Sequence, residues 1–326
     1  MPNIGIISFA HMHAYSYAQC LSDLAEVNFS AVWDDDAKRG RAAAKEHGAT
    51  FYASLNKMLA NNLDAVIICS ENIHHCAHAE AAASAGLWIL CEKPLATTVA
   101  DAKAMITACT KAGVGLGTAF PCRYVDTLQD FRNRIGSGEI GTPLAAACTN
   151  NGQNPGGWFV DEGLSGGGAV MDHTVHVADV MRWITGKEFT KVYCEKASLI
   201  HPETPTDDIG SLHLEMEDGL KLTHVASWNR PQAFPTWGDV TIDMTGTKGS
   251  LYIDAFNQKV DVYDNNASRA QWAPYGKNAD LALVKNFVEA VTKQVQPSVS
   301  GEDGLRAVQI TVAAEKSAKI GKMIRI

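Results

Sequence analysis

Two charged residues, Glu92 and Lys93, follow a short apolar segment in the first half of the chain. Residues 87–90 have the length and composition of a buried strand, and Pro94 comes next, before a new helical pattern begins. Ligands of open parallel sheets bind at the carboxyl ends of the strands, so a lysine in this place is a candidate for chemistry. The alternative interpretation is a solvated loop lysine.

A polar stripe lies within a second apolar segment, residues 169–184. Asp172, His176 and Asp179 stand at positions i, i+4 and i+7, which places them on one face of a helix among apolar side chains. His173 is adjacent to Asp172 and is expected to point elsewhere. A carboxylate and an imidazole on a largely buried face need partners or a chemical role. We therefore predict a role for Asp172 and His176, with a satisfied core histidine as the alternative.

Alternating strand and helix patterns surround the first of these sites. We count six strands with helices between them in the first half of the chain, which predicts a doubly wound parallel α/β sheet. The predicted strands include residues 4–9, 29–33, 65–69, 87–90 and 114–119, and the predicted helices are residues 13–26, 41–47, 55–60, 74–85 and 101–112.

The first strand-to-helix turn matches a dinucleotide site in part. The G-x-G-x-x-G fingerprint falls on Ser8, Ala10 and His13, and none of these is glycine. Asp34 follows the second strand, roughly 20 to 25 residues after the first turn, where such a unit needs a carboxylate for the ribose hydroxyls. Asp34 therefore favours a nucleotide site over an ordinary turn.

The same carboxylate bears on the choice of cofactor. Asp34 can pair with ribose hydroxyls but repels a 2′-phosphate, so NAD is the expected cofactor. Lys38 and Arg39 follow shortly after and could offset that repulsion, which leaves NADP as the alternative.

A histidine-rich group, His74, His75, Cys76 and His78, resembles a set of metal ligands because positions i and i+4 share a helix face. No second set of ligands with zinc spacing is obvious in the sequence. We therefore interpret the group as a helix start beneath a cofactor cleft, and we expect no metal.

The second half of the chain changes character after residue 120. A loop with seven glycines spans residues 150–168, and successive strand patterns follow it. We predict a dinucleotide-binding domain at residues 1–120 and an α+β domain with a large open mixed or antiparallel sheet at residues 121–326. The broad sheet face is expected to make a homo-oligomer, either a dimer or a tetramer. The predicted elements are helices at residues 126–135, 169–184, 280–293 and 305–319 and strands at residues 144–149, 192–200, 209–216, 220–228, 240–245 and 250–254.

Composition limits the partners. The 326 residues are 46% apolar and carry a formal charge of -8, without a prominent basic run. Nucleic acid and membrane are therefore not expected as partners, whereas a small, largely uncharged ligand is. The eight cysteines are scattered without close CxxC pairs, which indicates reduced, buried thiols. With no charged leader and no apolar run of about 18 residues, the sequence favours a cytoplasmic protein.

Several of these features together resemble the glucose-fructose oxidoreductase and inositol dehydrogenase family, Gfo/Idh/MocA. The resemblance spans nearly the whole chain, and its specific part is an EKP tripeptide followed later by a GGGxxxDxxxH stretch. The matching positions are Asn72, His75, Glu92, Lys93, Pro94, Arg123, Gly166, Gly167, Gly168, Asp172, His176 and residues 246–251.

The resemblance implies a Rossmann domain that binds NAD or NADP, a C-terminal domain with a large open sheet, and an active site between them. It implies that Lys93 spans nicotinamide and substrate, and that Asp172 and His176 act on the substrate hydroxyl. The expected cofactor-binding residues are Ser8, Phe9, Ala10, His11, Asp34, Ser70, His75, Glu92 and Lys93. The expected substrate-binding residues are Lys93, Arg123, Trp158, Asp172 and His176.

The chemistry of a dehydrogenase assigns roles to these residues. Oxidation of a secondary alcohol removes a hydride from carbon and a proton from oxygen, so a base must lie within about 3 Å of the hydroxyl. His176 titrates near neutrality and is the expected base, while Asp172 orients it or holds an adjacent hydroxyl. Lys93 is expected to stabilise alkoxide charge. An aromatic face near Trp158 suits a sugar, inositol or related polyol.

Two other functions stay open at this point. The glycine-free first turn would suit a non-catalytic sugar- or nucleotide-binding regulatory protein that retained the fold and lost the cofactor. A metal-dependent hydrolase or lyase could use Asp172, His173 and His176 with the group at residues 74–78.

Overall fold

The computed structural model describes residues 1–266 and 268–326, which form two compact units. The first unit contains Met1–Pro121, Gly163–Gly166 and Asp280–Val308. The second contains Cys122–Glu162, Gly167–Ala279 and Gln309–Ile326.

A parallel sheet forms the core of the first unit. Its strands are β1 (Asn3–Ile7), β2 (Asn28–Trp33), β3 (Thr50–Tyr52), β4 (Ala65–Ile68), β5 (Trp88–Cys91) and β6 (Leu116–Thr118). Neighbouring strands follow the order β3-β2-β1-β4-β5-β6, with parallel pairing throughout. This order confirms the predicted doubly wound sheet. No apolar pattern predicts β3, because its three residues are partly exposed and too few to form one.

Helices cover this sheet, which is why β4 and β5 read as continuous apolar runs. The helices are α1 (His13–Asp23), α2 (Ala37–His47), α3 (Leu55–Leu59), α4 (His75–Ser84) and α5 (Val99–Ala112). Asp36 caps α2 by accepting hydrogen bonds from the backbone amides of Lys38 and Arg39. Thr98 caps α5 in the same way, by accepting from the amide of Asp101. These caps fix the residues at which α2 and α5 begin.

A mixed sheet forms the core of the second unit, in agreement with the prediction. Its strands are β7 (Pro143–Asn151), β8 (Phe189–Ala197), β9 (Ile209–Met216), β10 (Lys221–Ser227), β11 (Thr241–Gly246), β12 (Ser250–Asp254) and, near the C-terminus, β15 (Ile324–Arg325). Their order is β12-β11-β7-β10-β9-β8-β15, in which β7 and β10 run parallel and the other pairs are antiparallel. Alternate residues of β9 are buried, so one sheet face is covered and the other is open.

A separate hairpin joins β13 (Lys259–Asp264) to β14 (Arg269–Pro274). The remaining helices are α6 (Asp126–Gly136), α7 (Glu162–Ser165), α8 (Ala169–Thr185), α9 (Ala279–Lys293) and α10 (Gly301–Ile320). Among the described residues, no helix is both long enough and apolar enough to cross a membrane.

The start of α8 explains the last glycine of the GGG run. A Cβ atom on Gly168 would lie 2.0 Å from the backbone oxygen of Asp207, so this position has no room for a side chain. The Asp207 carboxylate accepts hydrogen bonds from the backbone amides of Gly168 (3.3 Å) and Val170 (2.8 Å). Asp207 therefore satisfies donors at the start of α8 and fixes the helix that carries Asp172 and His176.

The cysteines fit the predicted reduced state. All eight lie at described positions, seven of them buried, and no disulfide joins them. Burial raises the pKa of the Cys148 thiol to about 12, so this thiol stays protonated and unreactive near neutral pH.

Candidate active site

The turn between β1 and α1 adopts a glycine-like conformation without a glycine. Ser8, at the first fingerprint position, has φ 68, in the left-handed region that favours glycine. Its backbone amide donates to the carbonyl oxygen of Trp33 (2.7 Å), and its hydroxyl accepts from the amide of Ala10 (3.1 Å). Ser8 thus provides the backbone shape that the fingerprint requires, held by bonds to β2 and to its own turn.

Asp34 lies at the end of β2 and accepts hydrogen bonds at both carboxylate oxygens. The amide of Phe9 donates to Oδ2 (2.8 Å), and the amide of Asp36 donates to Oδ1 (2.8 Å). The guanidinium of Arg39 donates to the same two oxygens and also to Asp35. The predicted ribose-binding carboxylate is therefore joined to the predicted pyrophosphate turn through Phe9.

Glu92 is fully buried just beyond β5, where it contacts two histidines of the first turn. Its Oε1 lies 3.0 Å from Nδ1 of His13, and its Oε2 lies 3.9 Å from Nε2 of His11. Burial alone lowers the pKa of His13, but the Glu92 carboxylate outweighs it, and the pKa of His13 is raised. Burial also opposes the charge of Glu92, yet His11, His13 and Lys93 hold the pKa of that carboxyl well below its usual range.

His11, His13 and Glu92 are also spaced like metal ligands, and they are the group of this kind in the part of the chain that the structure describes. One donor atom from each of His11, His13 and Glu92 lies within 4.8 Å of the other two. However, the backbone amide of His13 donates to Nδ1 of His11 (3.2 Å), so in the neutral ring the proton sits on Nε2, the nitrogen that faces Glu92. A metal-bound histidine normally donates its other ring N–H instead. We therefore interpret the group as a hydrogen-bonded cluster.

His75 lies at the start of α4, fully buried and in contact with two loops of the first unit. Its Nδ1 is 3.0 Å from the carbonyl oxygen of Pro94, and its Nε2 is 3.1 Å from that of Ser70. Burial lowers the pKa of His75, which keeps the ring neutral near pH 7. His75 therefore links the segment after β4 to the segment that carries Lys93, which is itself 4% exposed.

The group at residues 74–78 makes contacts within the first unit. Nδ1 of His78 lies 2.9 Å from the hydroxyl of Ser70, and its ring meets Trp33 edge to face. Burial lowers the pKa of His78 to about 4. These contacts fit the predicted helix start better than a set of metal ligands.

Helix α8 presents two polar side chains in an otherwise buried segment. Across residues 169–181, all of which the structure describes, Asp172 and His176 are partly exposed and every other residue is buried. Trp228 donates from Nε1 to Oδ2 of Asp172 (3.1 Å), and Nδ1 of His176 lies 3.9 Å from Sγ of Cys122. The predicted i, i+4 pair therefore shares the accessible strip of this helix.

The prediction for His173 was wrong. Its Nε2 lies 3.2 Å from Oδ2 of Asp172, so the ring turns toward the carboxylate instead of away from it. Neighbouring residues on a helix diverge by about 100°, but the imidazole reaches back across that angle. The contact depends on Asn150, whose carbonyl oxygen lies 2.9 Å from Nδ1 of His173, and sequence spacing does not reveal this partner.

Arg123 and Trp158, both predicted to bind substrate, make their own contacts in the second unit. Nε of Arg123 donates to Oδ2 of the fully buried Asp179 (2.8 Å). The ring of Trp158 stacks on Phe159 with centroids 3.8 Å apart. Asp179, which the sequence placed on the polar stripe of α8, therefore forms an ion pair with Arg123.

A polar network around Asp239, at the end of β7, was not predicted from the sequence. Asp239 is buried and accepts hydrogen bonds from Nε of Arg230 (3.1 Å) and from the hydroxyl of Thr149 (2.8 Å). It also accepts from the backbone amide of Asn151 (3.1 Å), at the end of β7. Thr149 and Asn151 lie 90 and 88 positions from Asp239 in the chain, and no motif links them to it.

Two family models match the chain. The model described as "Oxidoreductase family, NAD-binding Rossmann fold" matches residues 3–120. The model described as "GFO/IDH/MocA C-terminal domain" matches residues 128–252.

Individual proteins match over most of the chain. A 1,5-anhydro-D-fructose reductase from Ensifer adhaerens is 30% identical over 306 residues, covering 91% of this chain and 90% of that protein. A myo-inositol 2-dehydrogenase from Thermotoga maritima is 28% identical over 272 residues, covering 81% of this chain and 80% of that protein. The solved structure of a probable dehydrogenase from Thermotoga maritima has a TM-score of 0.86 at 26% identity, covering 99% of this chain and 98% of that one.

Proposed function

The chain belongs to the GFO/IDH/MocA oxidoreductase family, and on that premise we propose that it transfers a hydride between NAD and a secondary alcohol or ketone carbon of a sugar, inositol or related polyol. The protein is a dehydrogenase with an NAD-binding Rossmann domain.

One observation carries the assignment of the base. Asp172 and His176 are the partly exposed side chains in an otherwise buried segment of α8, residues 169–181, within the part of the chain that the structure describes. Exposure of a carboxylate and an imidazole four residues apart lets both reach one ligand. We assign His176 as the base that takes the hydroxyl proton in oxidation and returns it in reduction. Asp172 holds the same or an adjacent hydroxyl.

The residues of the first unit fit a dinucleotide. Ser8 has the backbone conformation of the fingerprint glycine, α1 begins just beyond this turn, and Asp34 ends β2 with its carboxylate beside the turn. A helix N-terminus favours a pyrophosphate, and a carboxylate at this place favours ribose hydroxyls. When bound, NAD supplies the hydride acceptor of the oxidation. Phe9, Ala10, His11, Ser70, His75 and Glu92 are proposed to shape its site.

Lys93 is proposed to act on the substrate oxygen. An ammonium group stabilises the negative charge that develops there as the proton leaves. Lys93 is almost fully buried at the end of β5, and His75 fixes the next residue, Pro94, through its carbonyl oxygen. A buried, positioned ammonium is more effective at this task than a solvated one.

The sugar or polyol class rests on the named relatives and on the side chains of the second unit. Two relatives carry the names of enzymes that act on an anhydro sugar and on inositol. Trp158, stacked on Phe159 and partly exposed, offers an apolar face of the kind that packs on a sugar ring. Arg123 is proposed to border the substrate while bound to Asp179.

The open face of the mixed sheet supports the proposed homo-oligomer. Leu144 is 51% exposed and Tyr252 is 67% exposed in strands of this sheet. Apolar side chains on an open sheet face are typical of an interface. Sedimentation equilibrium tests this, and a monomer at micromolar concentration would contradict it.

The cytoplasm is proposed as the location.

Titration with NADH tests the proposed function directly. We expect saturable binding, seen as a change in nicotinamide fluorescence, and NAD reduction with at least one member of a panel of inositols, aldoses and sugar alcohols. A protein that binds NADH but oxidises none of them would contradict the substrate class. A protein that binds no dinucleotide would contradict the catalytic role itself.

A further inference from the structure

The carboxylate of Glu92 joins the first turn to the residue that carries the proposed catalytic ammonium. Its Oε1 is hydrogen-bonded to Nδ1 of His13 (3.0 Å), at the start of α1. Its Oε2 accepts a hydrogen bond from the backbone amide of Lys93 (3.0 Å). The Glu92 side chain is fully buried, whereas that of His13 is 32% exposed. Glu92 therefore bonds to His13 through one oxygen and to Lys93 through the other.

The bond to Glu92 requires His13 to donate from Nδ1. Burial opposes the charge of Glu92, but His11, His13 and Lys93 hold the pKa of that carboxyl well below its usual range, so the group is ionised and can only accept. Nδ1 of His13 therefore carries a proton whether the ring is neutral or charged, and the bond does not depend on the state of Nε2. A hydrogen bond to an ionised group is stronger than one between neutral groups, so this contact can fix the Glu92 side chain.

The bond between His13 and Glu92 connects two strands that are not neighbours in the parallel sheet. His13 begins the helix after β1, Glu92 follows β5, and β4 lies between these two strands. The rings of His11 and Tyr17 flank the imidazole, with centroids 4.4 Å and 6.0 Å from it. His13 occupies the third fingerprint position, where a glycine would have no side chain to reach Glu92. The glycine-free turn thus gains a contact that the usual fingerprint cannot make.

We propose that His13 is a positioning residue that acts through the Glu92 carboxylate to hold Lys93 in place for catalysis. The inference rests on the proposed function, since that function assigns Lys93 to the substrate oxygen. The bond from His13 stops the Glu92 carboxylate from turning away from the Lys93 amide. On the other side of Lys93, the carbonyl oxygen of Pro94 lies 3.0 Å from Nδ1 of His75. The backbone is therefore anchored both at Lys93 and at the residue that follows it.

Hydrogen exchange of the Lys93 backbone amide, followed by NMR, tests this link without substrate or cofactor. His13→Phe keeps a ring of similar size and removes the donor, whereas His13→Asn keeps an amide donor near the place of Nδ1. We expect the Lys93 amide to exchange about tenfold faster or more in His13→Phe than in wild type, and within a few fold of wild type in His13→Asn. The amide of Ile67, in β4, is the reference for global opening and should keep its wild-type rate.

The same variants test the effect on the reaction. With a polyol that the wild type oxidises, we expect kcat to fall by roughly 10- to 100-fold in His13→Phe and by no more than a few fold in His13→Asn. Affinity for NADH, measured by fluorescence, should fall less than kcat in His13→Phe. His47→Gln, at the end of α2, is the matched control and should stay close to wild type.

A double-mutant cycle distinguishes action through Lys93 from a general loss of structure. Lys93→Ala removes the ammonium that His13 is proposed to position. We therefore expect His13→Phe to lower kcat by no more than about twofold in the Lys93→Ala background. A general structural effect would instead lower kcat by the same factor in both backgrounds.

The outcomes separate this inference from the proposed function. A wild-type exchange rate at Lys93 in His13→Phe, or an equal increase at Ile67, overturns the inference, whatever the enzyme oxidises. Faster exchange at Lys93 together with wild-type kcat, or an equal loss of kcat in the Lys93→Ala background, overturns the positioning role. If the exchange rates agree with the inference and no polyol is oxidised, the proposed substrate class is wrong while the link from His13 to Lys93 stands.

Discussion

The guanidinium of Arg39 contacts both carboxylate oxygens of Asp34, with Nε 2.9 Å from Oδ2 and Nη2 2.7 Å from Oδ1. Arg39 is therefore the cation that forms an ion pair with Asp34. Replacing Asp34 by serine removes the group that repels a 2′-phosphate and releases the guanidinium to bind one. We expect the ratio of NADPH to NADH affinity to rise by about tenfold or more in Asp34→Ser, measured by fluorescence titration of each dinucleotide.

The control for this prediction removes the cation as well. Asp34→Ser with Arg39→Gln lacks both charges, and we expect it to bind NADH and NADPH about equally and weakly. If Asp34→Ser keeps the wild-type ratio of NADPH to NADH affinity, Arg39 does not bind the 2′-phosphate and Asp34 does not determine the preference between the two cofactors.

The pair of His13 and Glu92 predicts a pH-dependent stability. The folded pKa of His13 is raised, so its contribution is fully present below the unfolded value of about 6.5 and is lost as pH rises through the folded value. The folded pKa of Glu92 is lowered, so its contribution appears above about 4.3, its unfolded value. We expect the difference in unfolding free energy between wild type and His13→Gln to be greatest between about pH 4.5 and 6.5 and to shrink toward pH 9. Urea denaturation at each pH measures it.

Glu92→Gln provides the matched background for that experiment. With the carboxylate removed, His13→Gln should change the unfolding free energy by nearly the same amount at every pH. A pH trend that persists in this background would show that another group, not Glu92, raises the pKa of His13.

The sequence predicted most of the fold because hydrophobic periodicity follows burial. The strand β9 (Ile209–Met216) alternates buried and exposed residues and was predicted with its observed bounds. The strand β3 (Thr50–Tyr52) and the hairpin of β13 and β14 were not assigned, because their side chains are mostly exposed and carry no apolar pattern. Hydrophobic periodicity detects burial, so strands with few buried side chains are not predicted.

The candidate site divides in the same way. Helical spacing correctly predicted that Asp172 and His176 share one face of α8, because a single local element sets their relation. The contact of His173 with Asn150, and that of His13 with Glu92, join residues 23 and 79 positions apart. These contacts depend on how β7, α8, β5 and the first turn are arranged within each unit, which local patterns do not encode.

Asp179 is expected to be essential for stability through Arg123. Both side chains lie in the second unit, where Asp179 is fully buried and Arg123 is 10% exposed. Removing one partner leaves the other charge buried without compensation, and such changes cost about 3 to 5 kcal/mol. We therefore expect Asp179→Leu to lower the unfolding free energy by about that amount, measured by urea denaturation.

The double variant separates a charge effect from a packing effect. Arg123→Met with Asp179→Leu removes both charges, and we expect it to recover most of the stability that Asp179→Leu loses. If the double variant is as unstable as Asp179→Leu alone, the loss comes from the shape of the site. If its stability recovers while its KM for substrate rises, Arg123 also binds substrate, as proposed.

Lys93 and His176 are expected to support the chemical step, and replacing either is expected to leave cofactor binding largely intact. We expect Lys93→Ala and His176→Ala each to lower kcat by about a hundredfold or more, because each removes a group that moves a proton or stabilises charge in the transition state. Affinity for NADH, measured by fluorescence, should change by no more than a few fold in His176→Ala. Stopped-flow absorbance of NADH formation in a single turnover distinguishes the chemical step from product release.

The double variant of Lys93 and His176 tests whether the two act together. Residues that serve one transition state lose activity in a non-additive way, since the first substitution already removes most of the benefit of the second. We therefore expect Lys93→Ala with His176→Ala to be within about tenfold of the slower single variant, with His47→Gln close to wild type as the control. If the loss of kcat in the double variant equals the product of the two single losses, the two residues act in separate steps. If both single variants keep the wild-type kcat, neither residue takes part in the mechanism.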